Sequence, residues 1–476
     1  MKISIYAKIL AISCLLSALG FRSYAAEPTS EAITTVSKYD HINVFWQHMF
    51  DPYRFFTTLF ERYGAPGKPI SFYMPTMGRM LMVYDADSLH TLAVLEGQGG
   101  FLKKGYSVQF VSSRLLGSGF AVLEDGDLYK NIHSKMKPKF IQNKMISHVA
   151  DTQKWAQDFV RYLKIQDKEK KWIDLEEEML TFTMGGISRS MLGFALEMER
   201  SRELSRALSG LLSKIISEQF SFRKFIFQTP AREADPEYQL IYEFLQEVIA
   251  HNQESEQEEN PFSEVISDVM KDPQLSEEQK RDQILNIFFG GHETTAHWLT
   301  VCLYFLSQHQ DSDFVAQIRA EAEAFRRGEK ELKSLTYLDA FMQEALRIDP
   351  SVPFYGRETI APISFNGFEV PVGTKILISP YAAHHLEKNW PDAGTFRPER
   401  FLTPLRMDNR TFIPFGVGKR SCMGRHFSAQ EVKLFLITLL LEEGRVSLDK
   451  DCKLDSHLVC TARFRKTPWG RISFPH

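Results

Sequence analysis

The sequence predicts a mainly α protein with a small β-rich lobe. Apolar residues recur at helical spacing over 44–63, 85–96, 128–145, 276–308, 337–348 and 425–443. Strand-like alternation is confined to 69–84, 364–380 and 458–474. No internal repeat or low-complexity linker divides residues 27–476, and the composition, 43% hydrophobic and 25% charged, is that of an ordinary globular chain. One large domain is therefore expected. A formal net charge of −3 argues against nucleic acid as a partner.

The N-terminal segment, 1–26, stands apart. Lys2 and Lys8 precede an apolar run, Ile9 to Phe21, that is shorter than the roughly 20 residues an ordinary spanning helix needs. Ser23-Tyr24-Ala25 has the small-x-small form of a cleavage site. The segment reads as a signal peptide or, alternatively, as an N-terminal membrane anchor, so the protein is exported or membrane-associated. Downstream, Asp51-Pro52 opens a helix, and Gly67 and Pro75 break the strands of 69–84. Lys130, Lys135, Lys137, Lys139 and Lys144 give the helix at 128–145 a basic face. Residues 146–261 read as mostly helical, with Phe220, Phe222, Phe225 and Phe227 around Gln228-Thr229-Pro230 and an acidic loop at 252–260. Ser276 and Glu278-Gln279 open the long helix at 276–308. Prolines extend 349–356, and a hairpin is expected over 364–380, with turns at Asn366-Gly367 and Val372-Gly373.

The chemistry gathers in Phe412 to Gly424, F-I-P-F-G-V-G-K-R-S-C-M-G. Cys422 lies just before the helix at 425–443, where the helix dipole favours a thiolate. Glycines let backbone approach a flat partner, and exposed loop amides can donate to sulfur. Phe415 screens the sulfur from water, and Arg420 offers a fixed charge to an anionic cofactor edge. A lone cysteine is usually just buried, but this set suits one axial thiolate on haem iron. Cys14, Cys302, Cys452 and Cys460 form no CxxC pair; Cys452 and Cys460 could pair in an oxidising compartment, with two unpaired thiols the plainer reading.

Near the middle of the long helix stands F-F-G-G-H-E-T-T-A, Phe288 to Ala296. Each of the adjacent glycines, Gly290 and Gly291, costs about 1 kcal/mol relative to Ala. That cost points to the close approach of something flat, or to a helix–helix contact. Thr294 can bond back to the Gly290 carbonyl. Glu293 beside it supplies a carboxylate next to an alcohol, a pair able to carry protons. Glu344 and Arg347, on one helix face, can pair, and Arg400 in P-E-R-F (Pro398 to Phe401) can join them.

In this order, the glycine–Glu-Thr-Thr helix, E-x-x-R, P-E-R-F and the cysteine loop resemble the cytochrome P-450 family of haem-thiolate monooxygenases, from about residue 45 onward. The resemblance implies the cytochrome P-450 fold, with haem b (iron protoporphyrin IX) between the long central helix and the cysteine loop, and Cys422 as axial ligand to the iron. It implies Thr294 and Glu293 as catalytic proton carriers, and Glu344, Arg347 and Arg400 as a structural lock. Arg357 and Arg420, with Tyr129, His133 and His384, would neutralise the propionates. Phe415, Gly416, Gly424 and Gly291 would pack about the cofactor. Val352 to Tyr355 and Val459 to Ala462 would face substrate. The chain departs from the family at Tyr129 and His133, where Trp and Arg are usual. Histidine titrates near neutrality, so haem retention is expected to vary with pH there.

The implied reaction inserts one oxygen atom from O2 into a lipophilic substrate such as a fatty acid, terpenoid or other lipid-like compound. No flavin, nicotinamide or iron–sulfur fingerprint is visible, so electrons are expected from a separate ferredoxin or flavoprotein. Its docking surface would be the Lys130–Lys144 helix with Lys419 and Arg425. Two other readings share these motifs. One is a haem-thiolate peroxygenase or isomerase, against which the intact Glu293-Thr294 pair argues. The other is a non-catalytic haem-binding sensor.

Overall fold

Helices begin where side-chain caps stand ready. Asp51 accepts a hydrogen bond from the Arg54 N–H (3.1 Å), and Pro52, with no amide to satisfy, opens the helix Pro52–Tyr63. Asp85 caps Ala86–Gln98 through the Ser88 N–H (3.0 Å). Ser276 and Gln279 form a reciprocal capping box at the head of Glu277–His309. The structure is a computed structural model that describes residues 33–475, apart from 38–39, 41–42, 45–46, 49–50, 75–77, 106–110, 221–233, 255–263, 366 and 403–408. The N-terminal segment 1–26, the phenylalanine cluster at 222–230 and most of the acidic loop lie outside the described residues.

Glu277–His309 is the axis of the molecule. Leu175–Leu192 lies along it and is buried on almost every face. Gly291 sets how closely the two approach, because a Cβ there would sit 2.0 Å from Ile187 Cδ1. The Thr183 hydroxyl also donates across the contact to the His292 carbonyl (3.1 Å). Val149–Lys168 and Arg425–Leu441 pack behind, closing a core that includes Phe159, Phe182, Leu299 and Phe435. Each such side chain contributes about 1.5–3 kcal/mol on burial. A second apolar cluster joins the first half of the long helix to Met198–Phe220 and Pro236–Glu254, through residues such as Leu208, Phe244 and Phe288.

The β-rich lobe is built on a six-stranded sheet in the order Thr34–Thr35, Ile70–Met74, Gly78–Val83, Lys375–Ile378, Tyr355–Thr359, Leu102–Lys104. Its edge pairing sets Lys104 opposite Arg357, which matters for the site below.

Two elements differ from the sequence expectation. The basic helix ends at Met136, and Lys137–Phe140 continues as a 3₁₀ turn, because Pro138 cannot donate to the helical ladder. The hairpin expected over 364–380 is only Ile363–Phe365 paired with Phe368–Val370. After a turn at Gly373 (φ 81°), Lys375–Ile378 leaves it and enters the large sheet beside Gly78–Val83.

Candidate active site

The cysteine loop is shaped by glycines in the left-handed region. Gly416 and Gly418 have φ of 73° and 71°. A Cβ on Gly418 would meet the Ala93 backbone at 3.2 Å and Glu96 Oε2 at 2.8 Å, so the loop rests directly on the Ala86–Gln98 helix. The Cys422 N–H donates to the Phe415 carbonyl (2.8 Å), turning the sulfur towards the interior just before Arg425–Leu441. The exposed surface of Cys422 faces an internal cavity of about 380 Å³. Burial pushes its thiol up, while the amides of Gly424 and Arg425 and the Arg425 charge pull the other way. Phe415 lines the same cavity and packs edge-on against Trp298.

Behind the loop, Glu344 and Arg347 are both fully buried. Arg347 donates Nε to Glu344 Oε2 (2.7 Å) and Nη2 to Oε1 (2.9 Å). Its Nη1 donates to the carbonyls of His384 (2.9 Å) and Ala393 (2.8 Å). Arg400 Nε joins at Glu344 Oε1 (3.0 Å). The two arginines read as parts of a lock from sequence thus converge on the Glu344 carboxylate.

From the long helix, Gly290, Gly291, Thr294 and Thr295 line the cavity. The two glycines answer different needs. A Cβ on Gly290 would meet nothing within 4 Å, whereas one on Gly291 would strike Ile187. Gly290 therefore keeps open space beside the helix, while Gly291 serves helix packing. Thr294 Oγ1 donates to the Gly290 carbonyl (2.7 Å).

Glu293 does not line the cavity. Neighbouring residues on a helix point about 100° apart, and Glu293 is wholly buried against the hairpin formed by Ser456–Leu458 and Ala462–Phe464. There Arg463 Nη2 lies 2.5 Å from Oε1, and the Thr461 hydroxyl donates to Oε2 (3.1 Å). Ser209 touches Oε1 at 3.4 Å. Of Val459 to Ala462, expected to face substrate, none lines the cavity, and Thr461 bonds this buried acid instead. Of 352–355, Val352 and Tyr355 line the cavity, while Phe354 belongs to the core of the β-rich lobe.

One edge of the cavity is cationic. Lys104, Arg357, Lys419, Arg420 and His133 all border it, with Tyr129. Arg357 Nε donates to Glu96 Oε1 (2.8 Å), and the Arg420 amide donates to Glu96 Oε2 (3.2 Å). The Arg420 guanidinium lies over the Tyr129 ring at 3.3 Å from its centroid and pairs with Asp125. Burial would raise the Asp125 carboxyl, but Lys419 and Arg420 hold it below its usual range. Burial, with Arg357 and Arg420 close by, pushes Lys104 down to about 7. Burial and the cations Lys137, Arg420 and Lys419 push His133 down as well.

His384 belongs to the lock and not to this edge. It is buried, its Nε2 accepts the Ile413 N–H (3.0 Å), and burial, His385 and Arg347 hold it neutral. Lys104 and Glu96 have no motif to announce them. Arg463 lies far in sequence from the acid it holds. The only signal that could have found Lys104 is its place on a strand beside Arg357. Cys452 and Cys460 are both free.

Residues 41–456 match the Cytochrome P450 family, and the chain belongs to it. Similar proteins include Cytochrome P450 4V2 of Mus musculus, 34% identical over 174 residues, which are 35% of this chain and 33% of that protein. Cholesterol 16,22-dihydroxylase CYP90G4 of Trigonella foenum-graecum is 27% identical over 301 residues, 60% of this chain and 61% of the relative. Cytochrome P450 52A5 of Candida maltosa is 28% identical over 413 residues, 72% of each. The matched stretch thus spans about a third of the first relative's length.

Membership in this family implies haem as cofactor, and the residues fit it. A thiol with amide donors borders the cavity, open space lies beside Gly290, and Lys104, Arg357 and Arg420 border one edge, where burial first and the two guanidiniums second depress Lys104.

Proposed function

We propose that this chain is a haem-dependent monooxygenase that inserts one oxygen atom from O2 into a lipophilic, lipid-like substrate. The observation that carries the reading is the meeting of Cys422, Gly290, Thr294 and the Lys104–Arg357–Arg420 edge on one cavity. Haem b, when bound, supplies the redox and oxygen chemistry. Cys422 would hold its iron, Arg357, Arg420 and Lys104 would take its propionates, and Tyr129 and His133 would border that edge. The lock of Glu344, Arg347 and Arg400 keeps the cysteine loop in place.

Thr294 Oγ1 is the cavity-facing end of the proton path. Glu293 would supply it from behind, which requires its carboxylate to exchange Arg463 for Thr294. The Phe120, Ile187, Met191, Ile287 and Val352 walls favour an apolar substrate. A relative named for cholesterol hydroxylation supports a lipid-like one. Electrons would come from a separate ferredoxin or flavoprotein. Its docking cations are a smaller set than the sequence suggests, because Lys135 pairs with Asp272, Lys139 with Asp268 and Lys419 with Asp125. Lys137 and Lys144 stay exposed. The N-terminal segment 1–26 would deliver the protein to, or through, a membrane. Among the described residues no helix is long and apolar enough to cross one.

A haem-thiolate peroxygenase is the second reading, favoured by the Arg463 clamp on Glu293. Turnover of fatty acids and terpenoids with O2 and a reductase supports the first reading, whereas turnover with peroxide alone supports the second.

A further inference from the structure

The loop at 117–121 presents Phe120 and Ala121 to the cavity without belonging to a helix or sheet. Its backbone is held instead by three side chains of the long helix. The Ser118 N–H and hydroxyl donate to Asp282 Oδ2 (2.7 and 2.9 Å). The Phe120 N–H donates to Gln283 Oε1 (2.8 Å), and Gln283 Nε2 donates back to the Ser118 carbonyl (2.9 Å). The Ala121 N–H donates to Asn286 Oδ1 (3.1 Å). All three helix side chains are buried, so these bonds do not compete with solvent.

The fit is close enough to dictate the loop's glycines. A Cβ on Gly119 would lie 1.7 Å from Asn286 Nδ2, and one on Gly117 would lie 2.2 Å from Asp282 Oδ2. The same helix then bears Gly290 and Thr294 at further steps of four residues, on the stripe that begins at Asp282 and Asn286. Asn286 and Thr294 are therefore about 12 Å apart along the helix axis. One rigid element sets both the wall at Phe120 and Ala121 and the hydroxyl at Thr294.

We propose that Asp282 and Gln283 are positioning residues for substrate selection, with Asn286 both anchoring the loop and lining the cavity itself. They make 117–121 a fixed wall, so that the width of the pocket, and the register of a lipophile against Thr294, are set by the long helix. The inference rests on the cavity being the substrate pocket. It would make the protein discriminate between slender and broad lipophiles.

The test uses the haem-loaded enzyme and its Gln283→Ala, Asn286→Ala and Gly119→Ala variants. Hydrogen exchange of the 117–123 amides should quicken about tenfold for each wall bond lost. Spectral titrations with a linear fatty acid and with a sterol should show the wild-type preference between them shrinking by a similar factor. Gly119→Ala should behave like Asn286→Ala, and the double variant should add little. Faster exchange with an unchanged preference would overturn the proposal, as would unchanged exchange in the single variants. Neither readout needs turnover, so failure of the monooxygenase reading would appear separately, as binding without oxygenation.

Discussion

Arg347→Ala probes how the fold holds the cysteine loop. In the native protein Arg347 donates five hydrogen bonds from a site with no solvent exposure, two to Glu344 and three to the carbonyls of His384, Ala393 and Thr395. Truncation strips the His384 and Ala393 carbonyls of this donor, leaves the Thr395 carbonyl to Arg400 Nη2 (3.3 Å), and leaves Glu344 to Arg400 and the Arg397 N–H. Removing one partner of a buried pair costs about 3–5 kcal/mol, because the other charge stays buried. Arg347→Lys keeps the charge but loses the planar fork that reaches carboxylate and carbonyls together, so an intermediate loss of about 1–3 kcal/mol is expected. Urea titrations followed by circular dichroism and by haem absorbance give the measurement. Both variants should unfold earlier and release haem faster, in the order Ala, then Lys, then wild type. An Arg347→Ala midpoint within about 0.5 kcal/mol of wild type would refute the lock, since that is the range of ordinary surface changes.

Burial alone would lower His297, yet Asp349 and Glu176 raise it to about 9 from 6.5, so its stabilising charge is full below the unfolded value and lost as pH rises through the folded one. His297→Gln should remove a fall in thermal midpoint across that window; an unchanged pH profile would count against the pairing. Lys104, depressed to about 7, should become charged when an anionic cofactor edge binds, so haem affinity should be full below about pH 7 and fall as the pH rises above it. Lys104→Met should flatten that profile while His133→Arg leaves its slope, and the reverse would restore His133 as the titrating group. Thr294→Ala should raise peroxide release relative to product, by about 10²-fold or more if the hydroxyl is a proton carrier. Arg463→Ala should shift the pH profile of that same ratio while Arg463→Lys largely preserves it; identical profiles would leave Arg463 a structural residue only.

What was legible in the sequence was local or periodic. Asp51, Asp85 and Ser276 announce helix starts because a cap acts within three residues. Gly416 and Cys422 stand out because a short loop must provide both a left-handed turn and the proposed ligand. What escaped depends on partners brought together by folding. Arg463 reaches Glu293 across 170 positions, and Arg357 reaches Glu96 across 261. His384 looks like a propionate partner in sequence, and only its burial beside Arg347 makes it part of the lock. The glycine pair was ambiguous for the same reason, since only the position of Ile187 separates the roles of Gly290 and Gly291.

The central claim is that Cys422 presents a thiolate to haem iron. The absorption spectrum of the purified protein, reduced and exposed to carbon monoxide, tests it most directly. The account predicts the strongly red-shifted Soret band of a thiolate-ligated adduct, lost in Cys422→Ser. A band at the position of histidine-ligated haem, or the red-shifted band surviving in Cys422→Ser, would contradict it.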